Sequence, residues 1–231
     1  MQDNDFSGLL LLDKPIGITS FKAVHIVRKT LNAKKCGHCG TLDPTASGLL
    51  LVLINKATKL QDRFMKQDKT YSSSFLLGTT TDTLDLSGKI IEQKDFGKIK
   101  LDDINKALKN FVGEIEQIPP MFSAIKIDGE RLYKLARQGI SIERKPRKVK
   151  IHNIEIISFL PPVLNLRIEC SSGTYIRTLA DDLGKILSCG AAVKNLRREK
   201  IGNFDVKDAI SQDDFRDIDK IKNKTIPLSS L

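Results

Sequence analysis

Residues 40–54 read GTLDPTASG followed by LLLVLI, a loop of small and turn-forming residues that leads into an uninterrupted apolar run. The run is short and begins directly after Gly48, so it predicts a buried strand. Within the loop, Pro44 biases Asp43 toward extended backbone, and the glycines at its two ends allow another backbone or a ligand to approach closely. We therefore expect Asp43 to project from a stiff loop at the edge of a core, although Asp-Pro alone is more often simply a turn.

The spacing of apolar residues on both sides of this loop predicts further elements. They are a helix from Ser20 to about Leu31, a strand at 71–77, a helix between Asp102 and Gly113, a short helix before Gly139, a strand at 149–156 with an irregularity near His152, an antiparallel partner at 164–170 and a helix at 176–187. Strands and helices do not alternate regularly. This order favours an α+β fold with a mixed, largely antiparallel sheet flanked by helices over a doubly wound parallel sheet.

The composition restricts the class of protein. The 231 residues are 40% apolar and 29% charged, which suits one large domain or two small ones. The longest apolar runs, at 9–12 and 49–54, are far shorter than the roughly 20 residues that cross a bilayer. The first residues lack the basic and apolar regions of a signal peptide, and the 4 cysteines are too few for a disulfide framework. These features predict a cytoplasmic protein without a membrane span and with reduced cysteines.

Basic residues are unevenly distributed within a formal net charge of +10. Residues 14–42 contain six basic residues and no acidic one, and residues 126–150 contain nine basic residues and three acidic ones. A third cluster at 194–200 has four basic residues and one acidic residue. Any single cluster is more often an ordinary solvated surface, whereas for three separated clusters a solvated surface and a surface that binds phosphate are both open interpretations.

Common cofactor and metal motifs are absent or incomplete. The sequence has neither G-x-G-x-x-G nor the P-loop motif, and it lacks the H-x-E and P-C-x-x-C pattern of zinc deaminases. Cys36, His38 and Cys39 could bind zinc, but a structural site needs a fourth ligand, and Cys170 and Cys189 are distant in the sequence. A zinc-stabilised RNA-binding module is therefore a weak alternative.

Residues 37–48 (GHCGTLDPTASG) closely resemble the catalytic motif of the TruB family of tRNA pseudouridine synthases. Further motifs follow in the family's order and extend the resemblance from about residue 9 to about residue 202: 13–20 (DKPIGITS), 69–71 (KTY), 78–83 (GTTTDT), 120–126 (PMFSAIK), 131–137 (RLYKLAR), 172–177 (SGTYIR) and 196–198 (LRR). The resemblance implies the pseudouridine synthase catalytic fold. It also implies an isomerase that flips uridine 55 out of the T-loop of tRNA and converts it to pseudouridine without a cofactor.

The same resemblance implies three catalytic residues. Asp43 matches the family's nucleophile, which forms an adduct with the sugar or the base. Arg177 matches the active-site arginine that could pair with this carboxylate, and Tyr71 matches the tyrosine that stacks on the flipped uracil and takes part in the C5 proton step. Taken alone, Arg177 would more often form a surface salt bridge, and Tyr71 would be a strand aromatic facing the core.

Four further residues match family positions that bind the substrate. His38 matches the histidine that wedges near the displaced base, while Tyr175 and Leu196 match residues that line the pocket. Lys14 is expected to shape the loop beneath the site. Taken alone, these four would be a loop histidine, two packing residues and a turn lysine.

The resemblance also predicts the domain organisation and the partners. Residues 1–231 would form one catalytic domain with an RNA-clamping insert at about 118–150, and no C-terminal PUA-like domain is evident. The expected partner is the T-loop of tRNA, with no membrane and no obligate protein partner, and the expected state is a monomer. An RNA chaperone that folds tRNA without chemistry is the alternative from the binding class.

Overall fold

A computed structural model describes residues 6–97, 99–127 and 129–231. The chain divides into two compact units, one formed by residues up to Tyr71 together with Leu196–Leu231 and the other by Ser72–Asn195. Strands β4 and β12, defined below, have residues in both units.

The described residues form six α-helices and fourteen strands, besides short 3₁₀ turns. The helices are α1 (Ser20–Thr30), α2 (Gln61–Met65), α3 (Leu101–Lys109), α4 (Leu132–Arg137), α5 (Ile176–Ile186) and α6 (Ile218–Lys224). The strands are β1 (Gly8–Lys14), β2 (Cys36–His38), β3 (Ser47–Ile54), β4 (Lys69–Leu77), β5 (Thr79–Thr81), β6 (Ile90–Gln93), β7 (Gly113–Gln117), β8 (Lys126–Ile127), β9 (Glu130–Arg131), β10 (Arg147–Leu160), β11 (Val163–Cys170), β12 (Ala191–Ile201), β13 (Phe204–Asp205) and β14 (Ile226–Pro227).

The first unit is built around β3. This strand pairs antiparallel with β1 along its length and antiparallel with β2, whereas it pairs parallel with β12 at Ser47 and Gly48. Leu50 and Val52 face a core that includes Val24 of α1, while Leu49 and Leu51 pack into a second core on the other face. Because both faces are covered, the apolar run can be continuous instead of alternating.

The second unit contains the strand order β4-β11-β10-β7. Strands β10 and β11 pair antiparallel, and β10 also pairs antiparallel with β7. The register of β10 shifts between Ile151 and Asn153, which confirms the predicted irregularity. Together with the parallel contact in the first unit, this arrangement confirms the predicted mixed, largely antiparallel sheet flanked by helices.

Most predicted helices are confirmed, but the bounds of α3 differ from the prediction. This helix begins at Leu101, one residue before Asp102, and ends at Lys109. Its start is fixed by Asp103, whose carboxylate accepts a hydrogen bond from the backbone N–H of Lys100 at 3.0 Å. In the described part of the chain, none of the helices is both long enough and apolar enough to span a membrane.

Candidate active site

The loop that carries Asp43 is anchored on both sides of this residue. The Ser20 hydroxyl, at the start of α1, donates to the carbonyl of Leu42 at 3.0 Å and accepts from the N–H of Leu42 at 2.9 Å. The carbonyl of Pro44 accepts from the N–H of Gly17 at 2.8 Å. Asp43 thus lies between two fixed neighbours, and it is partly exposed.

Arg198 on β12 holds the two ends of the same loop. Its side chain is 1% exposed, and it donates from Nε to the carbonyl of Leu49 at 2.8 Å and from Nη2 to the carbonyl of Gly40 at 3.1 Å. Gly48 has a φ of +106°, and a Cβ there would lie 2.2 Å from the backbone oxygen of Arg198. A glycine is therefore required where the loop enters β3.

Lys14 lies beneath this loop and is fully buried. Its ammonium donates to the carbonyls of Pro15 at 2.7 Å and Ile18 at 2.9 Å. Burial lowers the pKa of Lys14 to about 8, and the charge of Arg198 adds to this, while the carboxylate of Asp43 acts in the opposite direction. Lys14 therefore closes the turn between β1 and α1 and places a positive charge near Asp43.

His38 and Tyr71 belong to the same unit as Asp43. His38 ends β2, and its backbone carbonyl accepts from the side-chain amide of Gln61 at 3.1 Å. Tyr71 is buried in β4, two residues after the buried Lys69. The Lys69 ammonium donates to the carbonyl of Met65, the last residue of α2, at 2.6 Å and so fixes the start of the strand that carries Tyr71.

Arg177 belongs to the second unit, in the first turn of α5. The guanidinium is buried and donates to the carbonyl of Thr83 at 2.9 Å and to that of Phe122 at 2.7 Å. Three motifs that are distant in the sequence, at 78–83, 120–126 and 172–177, therefore meet at this one side chain.

Asp85 reinforces this cluster. One carboxylate oxygen accepts from the hydroxyls of Thr83 at 2.7 Å and Ser87 at 2.6 Å and from the N–H of Ser87 at 3.0 Å. Burial opposes ionisation, but these hydrogen bonds and the charge of Arg177 outweigh it, so the pKa of Asp85 lies below its ordinary value. Arg177 is thus accompanied by a charged carboxylate of its own unit.

Tyr175 caps α5 and is fixed through its backbone. The buried Gln117 at the end of β7 accepts from the N–H of Tyr175 at 3.0 Å and donates to its carbonyl at 3.3 Å. The side-chain amide of Gln117 therefore makes one hydrogen bond to each backbone polar group of Tyr175. The partly buried Tyr175 side chain projects from this fixed backbone.

Cys36 and Cys39, which precede Asp43 in the sequence, belong to no group of three or more metal-binding side chains in the described residues. Burial raises the pKa of Cys36 to about 11 and that of Cys39 to about 12, so without a bound metal both thiols keep their protons near pH 7. Over the described ranges, no group of three or more His, Cys, Asp or Glu side chains could hold a metal ion. The four cysteines are free thiols.

The first unit therefore presents the partly exposed Asp43 on an anchored loop, and the second unit contains the buried Arg177. A family model described as TruB family pseudouridylate synthase (N terminal domain) matches residues 28–176, and a tRNA pseudouridylate synthase B C-terminal domain matches residues 177–229. This chain belongs to the TruB family of pseudouridine synthases.

The curated TruB relatives extend over nearly the whole chain. The tRNA pseudouridine synthase B of Endomicrobium trichonymphae is 60% identical over 225 residues, which cover 97% of this chain and 98% of the relative. The protein of the same name from Nitrosococcus oceani is 43% identical, and the match covers 100% of this chain and 76% of that protein. The chain is accordingly an RNA uridine isomerase.

Solved structures agree with the TruB assignment of the fold. A crystal structure of a Cbf5-Nop10-Gar1 complex matches with a TM-score of 0.76 and 29% identity, covering 96% of this chain and 60% of that chain. The archaeal box H/ACA sRNP Nop10-Cbf5 complex matches with a TM-score of 0.72 and 26% identity, covering 96% and 60%. The chain thus spans less than two thirds of these solved chains.

The structure groups the residues predicted from the TruB resemblance by unit. Asp43, Tyr71, His38, Lys14 and Leu196 belong to the first unit, whereas Arg177 and Tyr175 belong to the second. Leu196 is partly buried on β12, two residues before Arg198. The pairing of Arg177 with Asp43 stays a prediction.

Sequence reasoning missed the residues that fix the backbone or the surroundings of the predicted site residues. Ser20, Arg198 and Gln117 act through backbone hydrogen bonds, and Asp85 acts through the cluster around Arg177. Ser20 and Arg198 lie inside motifs that the resemblance identified, so a signal existed, but it did not state their role.

Proposed function

We propose that this enzyme converts uridine 55 in the T-loop of tRNA to pseudouridine, with Asp43 as the nucleophile. The anchored loop around Asp43 carries the proposal. Ser20 and Arg198 fix the backbone on both sides of Asp43, while Asp43 itself is only partly buried. A nucleophile needs this combination, because a small displacement of a reacting atom slows a reaction about 10²-fold. The family matches, and the name tRNA pseudouridine synthase B that the curated relatives carry, support tRNA as the substrate.

The chemistry requires a group that can attack and then leave. The N1–C1′ bond of uridine breaks, a C5–C1′ bond forms, the C5 proton departs and N1 gains a proton. The carboxylate of Asp43 would split this exchange into two steps through a covalent adduct, either on C1′ of the ribose or on the uracil ring. Either adduct is released with the carboxylate unchanged.

Arg177 and Tyr71 would complete the catalytic set. In our proposal, Arg177 pairs with Asp43 and keeps it ionised, and Tyr71 stacks on the flipped uracil and takes part in removal of the C5 proton. The Arg177 guanidinium is oriented by its two hydrogen bonds to the carbonyls of Thr83 and Phe122. This fixed orientation supports a function in which Arg177 positions the Asp43 carboxylate. An aromatic face replaces about 1–3 kcal/mol of the stacking that the base loses on flipping.

The remaining predicted residues would hold the RNA and the base. His38 would occupy space near the displaced base, Tyr175 and Leu196 would line the pocket, and Lys14 would support the loop. The fixed backbones of His38 and Tyr175 are compatible with these functions. Extrusion of a base costs a few kcal/mol, so such contacts are needed to offset it.

We propose that the segment at about 118–150 clamps the RNA. Its described residues include the antiparallel pair of strands β8 and β9 and helix α4, with Leu132 buried as an anchor and Arg131, Lys134 and Arg137 exposed. A local excess of six basic residues over acidic ones at 126–150 suits a phosphate backbone. We further propose that residues 1–231 act as one catalytic domain.

Release of tritium from C5-labelled uridine in tRNA tests the reaction. The wild-type enzyme should release tritium and form pseudouridine at position 55, and Asp43→Asn should abolish both while RNA binding persists. Asp213→Asn removes an exposed carboxylate outside the motifs and serves as the matched control. Turnover by Asp43→Asn would refute the nucleophile. Rescue of tRNA folding by Asp43→Asn would reveal the chaperone activity in addition.

We also infer a monomer that acts in the cytoplasm without an obligate protein partner. This inference comes from the expected tRNA substrate and from the sequence. Sedimentation of the purified protein with and without tRNA tests it, because a dimer would sediment as a particle of twice the mass.

A further inference from the structure

The outer face of α1 is unusual for a helix on the surface of an enzyme. Its inner residues Ala23, Val24 and Val27 are buried in the core of the first unit. Its outer face consists of two aromatic and three basic residues, namely Phe21, Lys22, His25, Arg28 and Lys29. Aromatic rings interspersed with basic side chains are typical of surfaces that bind single-stranded nucleic acid.

Phe21 is the side chain on this face that most needs an explanation. It is 75% exposed, although burial of a phenylalanine stabilises a protein by about 1.5–3 kcal/mol. Its ring is stacked on that of His25, one turn further along α1, with centroids 6.2 Å apart and an interplanar angle of 21°. Both residues are exposed, and we call this aromatic pair the platform.

A pocket lies beside this platform, between α1 and β2. It has a volume of about 210 Å³, and its lining includes Phe21, His25, Arg28, Cys36 and His38. Pockets for drug-sized ligands measure about 300–1,000 Å³, so this one suits a smaller occupant such as one planar ring. We call it the α1 pocket.

The charge around the α1 pocket is positive. None of the eight residues that line it is acidic, and residues 14–42 include no acidic residue. Arg28 is held at the rim, since its Nε donates to the carbonyl of Ala33 at 3.3 Å. Its charge acts on the thiol of Cys36, where it opposes the rise in pKa caused by burial.

We propose that the α1 pocket binds one unpaired nucleobase of the RNA substrate, next to the target uridine, with the base stacked on Phe21 and its phosphate near Arg28. The proposal rests on the proposed function, because that function supplies the RNA. The position of His38 supports it: this residue lines the pocket, and the catalytic loop begins two residues later at Gly40. An acidic protein segment would satisfy the charges but would leave the aromatic platform without a ring to stack on.

The experiment uses T-loop stem-loop RNAs that carry the fluorescent base 2-aminopurine at each unpaired position in turn. At one position beside the target, wild-type enzyme should quench the fluorescence through stacking. Phe21→Ala should abolish this quenching, weaken binding about 10-fold and raise KM with little change in kcat, whereas Phe21→Tyr should retain all three wild-type properties. Leu160→Ala removes another exposed apolar side chain, 72% exposed and outside the pocket, and is the matched control.

The salt dependence of RNA affinity distinguishes the contribution of Arg28, which would contact a phosphate, from that of Phe21, which would stack on a base. Arg28→Gln should reduce the slope of log affinity against log salt by about one, while Phe21→Ala should leave that slope unchanged. If Phe21 only stabilised the fold, Phe21→Ala would lower the melting temperature but would not abolish quenching at a single RNA position.

The outcomes distinguish this proposal from the proposed function. An active wild-type enzyme whose Phe21→Ala variant binds and quenches like wild type would overturn the α1 pocket and leave the isomerase intact. A wild-type protein that quenches through Phe21 but forms no pseudouridine would retain the pocket and refute the isomerase. Absence of quenching at every position, or capture of an acidic peptide with no effect of RNA, would also overturn the pocket.

Discussion

The guanidinium of Arg198 donates a hydrogen bond to the carbonyl oxygen of Gly40 at 3.1 Å. The same side chain donates to Leu49, so a single buried residue joins the start of the Asp43 loop to the strand that follows it. A lysine in its place would keep the charge but would lack the two separate donor atoms, Nε and Nη2, that reach the carbonyls of Leu49 and Gly40.

We therefore predict that Arg198→Lys lowers kcat about 100-fold and the free energy of unfolding by about 2–4 kcal/mol. The loss of kcat reflects displacement of the Asp43 loop, and the loss of stability reflects a buried carbonyl without a donor. Tritium release and urea unfolding measure the two effects. Arg216→Lys, at an exposed position, is the control and should match wild type in both. Wild-type kcat in Arg198→Lys would contradict the positioning function.

Thr19 and Ser20 are adjacent hydroxyl residues with different partners. Thr19 caps α1 by accepting from the N–H of Lys22 at 3.0 Å, whereas Ser20 bonds to the backbone of Leu42 in the Asp43 loop. Thr19→Ala should cost about 1 kcal/mol of stability and leave kcat unchanged. Ser20→Ala should cost about 1–3 kcal/mol and lower kcat at least about 10-fold. Equal kcat values in the two variants would show that the Leu42 contact has no catalytic importance.

The local features of the first unit could be predicted from the sequence. Thr19 and Ser20 lie before apolar residues at helical spacing, and the run at 49–54 is too short and too apolar for anything but a buried element. The start of α1 and the buried strand at 49–54 each depend on a short local stretch of sequence, so no distant contact has to be known to predict them. The bulge near His152 was also predictable, since the apolar alternation of β10 is interrupted there.

The contacts that position the site could not be predicted. Arg198 lies 158 residues from Gly40, and Gln117 lies 58 residues from Tyr175. Both pairs join a side chain to a backbone group, and backbone groups are the same in every residue, so the sequence carries no complementary pattern for them. Strand β1 was likewise missed, because its leucines indicate only an apolar run until β3 is known to pair with it.

The buried Lys14 gives the protein a distinct dependence of stability on pH. Its pKa is about 8 in the folded chain against 10.5 ordinarily, so between these values the unfolded chain holds more protons and folding becomes more favourable as pH rises. Relative to Lys14→Met, the wild type should gain on the order of 2 kcal/mol in free energy of unfolding between about pH 7 and about pH 9.5. Groups common to both proteins, such as Cys39, cancel in this comparison. If the difference in free energy of unfolding between wild type and Lys14→Met did not change over this pH range, the folded pKa of Lys14 would not be lowered.

Asp85 should show the dependence expected of a carboxylate that the fold keeps ionised. Its folded pKa lies below the ordinary value of 3.8, so its stabilising effect is present above that value and is lost as pH falls through the folded pKa. Asp85→Asn keeps an oxygen that can accept from Thr83 and Ser87, but it removes the charge that faces Arg177. The variant should be about 1–2 kcal/mol less stable near pH 7, and the difference should shrink below about pH 3.8. The exposed Asp82, replaced by Asn, is the control, and urea unfolding across this range measures both. If the Asp85→Asn deficit stayed constant down to about pH 3, the deficit would come from altered hydrogen bonding and not from the lost charge.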